Sequence, residues 1–132
     1  SKKAKDLQKR CQIVENVDPD VTISIHQNSY SDAGISGAQV FYYSTSEKSR
    51  LLAEQLQEKL ISMVDPTNHR AAKANDSYYM LRKTVSPTVI VECGFLSNEK
   101  ECKKLQEEKY QDKIVEAIYQ GIVTFAQMQE SN

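Results

Sequence analysis

The sequence predicts an α/β fold: a mostly parallel sheet with helices on both of its faces, three layers in all. Two observations carry that expectation. Two short apolar runs, 21–26 and 88–92, each follow a proline-containing segment and end in a titratable residue, His26 and Glu92. Around them, segments with apolar residues at helical spacing alternate with strand-like ones, the pattern of βα units.

In order along the chain, Ala4, Leu7, Cys11 and Val14 recur at helical spacing with Lys and Arg opposite, which predicts an amphipathic helix over 3–16. It opens without a cap or a preceding element, as a sequence does that begins partway through a fold. Asp18-Pro19-Asp20 is a turn, and Val21, Ile23 and Ile25 alternate with Thr22 and Ser24 in a strand expected to be buried. The polar run 27–37 is a loop. Residues 38–43, aromatic and β-branched, form a second strand, and Ser44 with Glu47 reads as a capping box. Leu52, Leu56, Leu60, Met63 and Val64 then mark one face of a helix that Asp65-Pro66 stops.

Residues 65–87 are the least regular. Asn68 to Lys73 is a loop, and Ser77 to Arg82 is expected to be a short strand. Thr88 to Glu92 is near-continuously apolar, as in a strand buried on both faces of a parallel sheet. Ser97 or Asn98, with Glu101 three residues after Asn98, caps a helix through Leu105. A last helix is expected from about Gln111 to Gln127, with Ile114, Ile118, Ile122 and Phe125 on one face. Even with the short 77–82 segment set beside them, the three main strands, 21–26, 38–43 and 88–92, make a thin sheet for helices on both sides, so amino-terminal strands are expected to be missing.

The chain has 132 residues, enough for one domain with a single core. A net charge of −1 points to no nucleic-acid partner. No apolar run approaches the roughly 18–20 residues that cross a bilayer, and no targeting signal is present. The three cysteines, Cys11, Cys93 and Cys102, make no CxxC and no disulfide framework.

His26 and Glu92 stand at the carboxyl ends of their strands, where open α/β sheets collect ligands and catalytic groups. A neutral imidazole is the commonest zinc ligand, and a carboxylate nearby can act as general base. The residues alone leave alternatives open. A lone His at a strand end is often a structural hydrogen-bonding residue. A buried Glu92 needs a partner, and an ion pair with Arg70 or Arg82 would serve as well as catalysis. His69 reads as a solvated loop residue. Tyr30, Tyr42, Tyr43, Tyr78 and Tyr79 could line a sugar or peptide groove or simply pack. There is no Gly-x-Ser-x-Gly elbow and no phosphate-cradling glycine loop.

Ser24-Ile25-His26-Gln27-Asn28, Gly37-Ala38-Gln39-Val40-Phe41-Tyr42 and the run Val89 to Asn98 (Val-Ile-Val-Glu-Cys-Gly-Phe-Leu-Ser-Asn) occur in that order. Together they resemble the zinc-dependent N-acetylmuramoyl-L-alanine amidases of bacterial cell walls. Asp6 to Arg10, Asn68 to Lys73 and Tyr79 to Arg82 resemble that family's intervening segments, and the Gly-Ala-Gln-x-Phe-Tyr strand is similar to its spore-cortex branch. The resemblance implies that His26 is a zinc ligand and that Glu92 is the catalytic carboxylate working with the zinc-bound water. It also implies a peptidoglycan or muropeptide substrate and a location in the cell envelope or outside the cell.

The family's other two zinc ligands, a His and a Glu, lie upstream of the helix that opens this sequence and have no counterpart here. Residues 1–132 are therefore expected to be the carboxyl-terminal portion of a single amidase domain, inactive alone and prone to self-association through the side left open. Two further readings stand beside the amidase: a zinc carboxypeptidase-like peptidase, and a non-catalytic wall-binding or regulatory fragment.

Overall fold

The computed structural model describes residues 1–131. Helix α1, Lys2–Val17, does have a cap: the Ser1 hydroxyl accepts from the Ala4 N–H at 3.2 Å. Asp18 takes a left-handed conformation, and its N–H closes the last turn on the Val14 carbonyl at 2.9 Å. That lets Pro19 and Asp20 redirect the chain into strand β1, Thr22–Asn28. Strand β2, Gln39–Tyr42, and helix α2, Glu47–Lys59, follow. The cap of α2 is Ser46, accepting from the Ser49 N–H, and not Ser44. Ser44 is drawn to Asp76 instead, donating to it from its N–H at 2.9 Å and its hydroxyl at 2.7 Å. The helix runs on through a π-helical turn, Leu60–Val64, which ends where expected before Pro66.

The irregular segment differs from expectation in two places. Lys73–Ala74 is a two-residue strand, β3, parallel to β2, where no strand was expected, and it completes a four-stranded sheet. The segment read as a short strand over 77–82 is instead helix α3, Tyr79–Lys83. Asn75 accepts from both the N–H and the hydroxyl of Ser77 and turns the chain off the sheet. Leu81 is then buried, and Met80 meets Cys11 of α1 with its sulfur at 3.5 Å. Packing against α1 outweighs the strand preference of Tyr78 and Tyr79. Strand β4, Thr88–Phe95, helix α4, Glu99–Leu105, and helix α5, Glu108–Glu130, complete the chain. The last begins three residues earlier and ends three later than its apolar face alone marks.

The strand order is β1-β4-β2-β3, with β1/β4 and β2/β3 parallel and β4/β2 antiparallel. Every residue of β4 is buried. Its side chains alternate: Val89, Val91 and Cys93, with Val40 of β2, enter the main core under α2 and α5. Ile90 and Glu92 point to the opposite face, toward α1 and α3. Helices thus cover both faces, as the α/β reading requires. Strand β1 is an edge among the described residues, which corrects the expectation of a buried strand. Val21 and Ile23 pack on the core, but Ile25 is 59% exposed. No helix among the described residues is long and apolar enough to cross a membrane.

Ahead of β3, the outer edge of β2 is satisfied by side-chain amides. Gln57, buried on α2, accepts from the Val40 N–H at 2.8 Å and donates to the Ala38 carbonyl at 3.1 Å, which Asn68 also reaches at 2.9 Å. Gln57→Leu keeps the volume and strands the Val40 donor, so it is expected to cost about 1–3 kcal/mol. Urea denaturation checks this; an unchanged midpoint would mean that water or a neighbour takes over.

Candidate active site

Three polar side chains form a row across the sheet. In the parallel β1/β4 pair His26 stands opposite Glu92, and in the antiparallel β4/β2 pair Gln39 stands opposite the same Glu92. Partners at one register level point to one face, so the row lies on the α1/α3 side. Both strands run beyond the row, β1 to Asn28 and β4 to Phe95, so His26 and Glu92 lie just inside their strand ends.

Glu92 is only 4% exposed, and its Oε1 is buried with no hydrogen-bond partner. Burial pushes its carboxyl up to about 7 from the ordinary 4.5, and the Asn28 backbone N–H on the neighbouring strand pulls the other way. The ion-pair alternative fails. Arg70 is held elsewhere: its Nε donates to the Ser36 carbonyl at 2.9 Å, its Nη1 to Gln39 Oε1 at 3.2 Å, and its guanidinium lies over the Phe95 ring. The four ion pairs among the described residues all run within single helices, and none includes Glu92 or Arg82.

His26 is exposed, with Nε2 at 2.8 Å from the Ser24 hydroxyl. It and Glu92 line one cavity of about 410 Å³ between the sheet, α1 and α3, with Tyr78, Met80 and Arg10 among its other walls. Burial and the charge of Glu92 raise the Tyr78 phenol. His69 is exposed and lines a separate cleft with Ser36 and Arg70. Gln39 is the site residue that sequence reasoning missed, whereas Tyr78 was among the tyrosines that could line a groove or pack, and the structure places it in the cavity wall. Gln39 had a signal, as a polar residue inside an otherwise apolar strand. Which of the tyrosines line the cavity depends on α3, which Tyr78 precedes.

A catalytic zinc takes three protein ligands and leaves one position open. An exposed imidazole beside a buried carboxylate with an orphaned oxygen fits one side of such a site. The chain does not complete it: no group of three or more His, Cys, Asp or Glu among the described residues is placed to hold a metal.

The profile of the family described as N-acetylmuramoyl-L-alanine amidase matches residues 1–124. The germination-specific N-acetylmuramoyl-L-alanine amidase of Bacillus subtilis (strain 168) is 35% identical over 124 residues, which are 94% of this chain and 52% of that protein. Among solved structures, the CwlD amidase from Clostridioides difficile, in complex with the GerS lipoprotein, is 42% identical with a TM-score of 0.93. It covers 96% of this chain and 64% of its own. The N-acetylmuramoyl-L-alanine amidase from Clostridium difficile 630 follows at 30% identity and a TM-score of 0.85, covering 92% of this chain and 65% of its own. The chain thus spans about half the length of the Bacillus relative and under two-thirds of the solved ones. The match runs from the opening helix into α5, over a sheet that sets His26 beside Glu92, and on that evidence the chain belongs to the N-acetylmuramoyl-L-alanine amidase family.

Proposed function

We propose that the protein to which this chain belongs hydrolyses the amide between the lactyl group of N-acetylmuramic acid and the L-alanine of the stem peptide, in the cell envelope. The observation that carries this is Glu92: a buried carboxylate with an unpartnered oxygen, level with His26 on the adjacent strand. Water attacks the amide carbonyl, and Glu92 Oε1 takes the water proton. The carboxyl then hands that proton to the departing alanine nitrogen as the carbon–nitrogen bond breaks. A group whose ionisation lies near neutrality suits both halves of that transfer. His26 is proposed as one zinc ligand, the others lying outside these residues; when bound, the metal polarises the scissile carbonyl. The likeness to the germination-specific enzyme supports a role in spore-cortex peptidoglycan, and the CwlD complex supports a lipoprotein partner.

Mass spectrometry of digested muropeptides tests this. An intact lactyl carboxylate and a stem peptide beginning at L-alanine are expected. Cleavage inside the stem would favour the carboxypeptidase-like reading instead.

For residues 1–132 alone, weak zinc binding and no measurable turnover are expected, because tight sites draw about 10–16 kcal/mol from several ligands together. We also propose that this isolated chain self-associates along β1, an edge strand that carries the exposed Ile25. Zinc titration and sedimentation check both. A monomer with tight, stoichiometric zinc and turnover would contradict them.

A further inference from the structure

Glu92 lies just before an irregularity. His26 pairs with Glu92 but Asn28 pairs with Phe95, so β4 spends two residues, Cys93 and Gly94, where β1 spends only Gln27. Such a bulge re-aims side chains and needs something to pin it. The pin is a second buried acid. Glu101, 7% exposed on the first turn of α4, accepts from the Phe95 N–H at 2.7 Å through Oε1. Its two oxygens also accept from the Gly37 N–H, at 3.0 and 2.9 Å. None of the ion pairs among the described residues includes it, so backbone donors meet its charge. Gly94 makes this approach possible: a Cβ there would come within 2.6 Å of Glu101 Oε1.

Helix capping does not account for this arrangement. Asn98 is the cap and accepts from the Glu101 N–H at 3.0 Å. In a capping box the Glu three residues on would reach back to the cap's own N–H. Here that N–H goes to the Phe95 carbonyl at 3.1 Å, and the Glu101 carboxylate spans to β4 and to Gly37 at the end of the loop before β2. The same turn grips the loop after β1 at two more points. The Ser97 hydroxyl accepts from the Tyr30 N–H at 2.9 Å, and the Asn98 side chain donates to the Ala33 carbonyl at 3.0 Å.

We propose that Glu101 is a positioning residue: with Ser97 and Asn98 it clasps the 29–37 loop to the end of β4 and so holds Glu92 and the rim around it in working geometry. The catalytic half of this statement rests on the amidase reading above; the clasp does not. The test uses the complete protein with Glu101→Ala, Glu101→Gln and Ser97→Ala. Amide hydrogen exchange and hydrolysis kinetics are both read at a temperature where circular dichroism shows full folding.

In Glu101→Ala the Gly37 and Phe95 amides should lose protection, and kcat should fall by roughly 10–100-fold while KM changes little, the size a small misplacement causes. Glu101→Gln, whose carbonyl can take the place of Oε1, should lie between Glu101→Ala and the parent. Ser97→Ala should free the Tyr30 amide with a smaller fall in kcat. Unchanged protection at Gly37 and Phe95 overturns the clasp. Freed amides with parental kcat, or a kcat that falls only in step with the unfolded fraction, overturn the positioning role. If Glu101→Ala does not fold, Glu101→Gln and Ser97→Ala decide by the same readouts. A parent protein that cleaves no muropeptide overturns the amidase reading alone, since exchange still decides the clasp.

Discussion

Glu92→Gln in the complete protein is expected to lower amide hydrolysis by about 10²–10⁴-fold while leaving bound zinc near parental stoichiometry. Gln keeps the shape of the side chain but cannot take the water proton. Zinc lost together with activity would instead make Glu92 a ligand. The same substitution should change how stability depends on pH in the metal-free protein. The folded carboxyl ionises near 7 and the unfolded one near 4.5, so between those values the folded state holds a proton that the unfolded state has released. Stability therefore falls as pH rises through that window, by on the order of 3 kcal/mol, and nearly the whole loss is present above pH 7. Glu92→Gln should remove this slope and leave the variant more stable than the parent at pH 8. Denaturation midpoints at pH 4, 6 and 8 measure it; parallel curves for parent and variant would mean that water reaches Glu92 and that its ionisation is ordinary.

Leu56→Ala is expected to cost about 2–5 kcal/mol, enough to unfold much of a marginal domain. Leu56 is fully buried at the crossing of α2 and α5. The helices meet so closely there that a Cβ on Gly121 would stand 2.6 Å from Leu56 Cδ2 and 3.1 Å from its Cα. Gly121→Ala alone should also destabilise, by about 1–3 kcal/mol, because α2 would have to move. The two changes should compensate when combined, since the new methyl enters the space that the leucine vacates. A double-mutant cycle in urea reads the coupling. Simple additivity would show that the helices separate freely and that the close approach matters little.

The sequence by itself determined the elements whose signal is local. Thr88–Glu92 reads as a buried central strand because only a strand covered on both faces can be that continuously apolar, and β4 is such a strand. The face of α5 and the stop before Pro66 were legible for the same kind of reason. His26 and Glu92 could be picked out because each is a titratable side chain that an apolar strand delivers to one end of the sheet, and the register puts them side by side. What depended on neighbours far along the chain was not legible. Ile25 looks like a core residue until β1 proves to be an edge strand, since alternation fixes a face but not whether anything covers it. Residues 77–82 have the composition of a strand, yet α3 packs against α1, where Met80 meets Cys11, and buries Leu81. Glu101 has the spacing of a capping box, and only the nearness of Gly37 and Phe95 turns its carboxylate across the chain. Glu92 shows the division most clearly. The sequence marked it as a buried acid in need of a partner, but only the tertiary structure, by committing Arg70 to Ser36, Gln39 and Phe95, decided that it has no ion-pair partner and that its Oε1 stays unbonded.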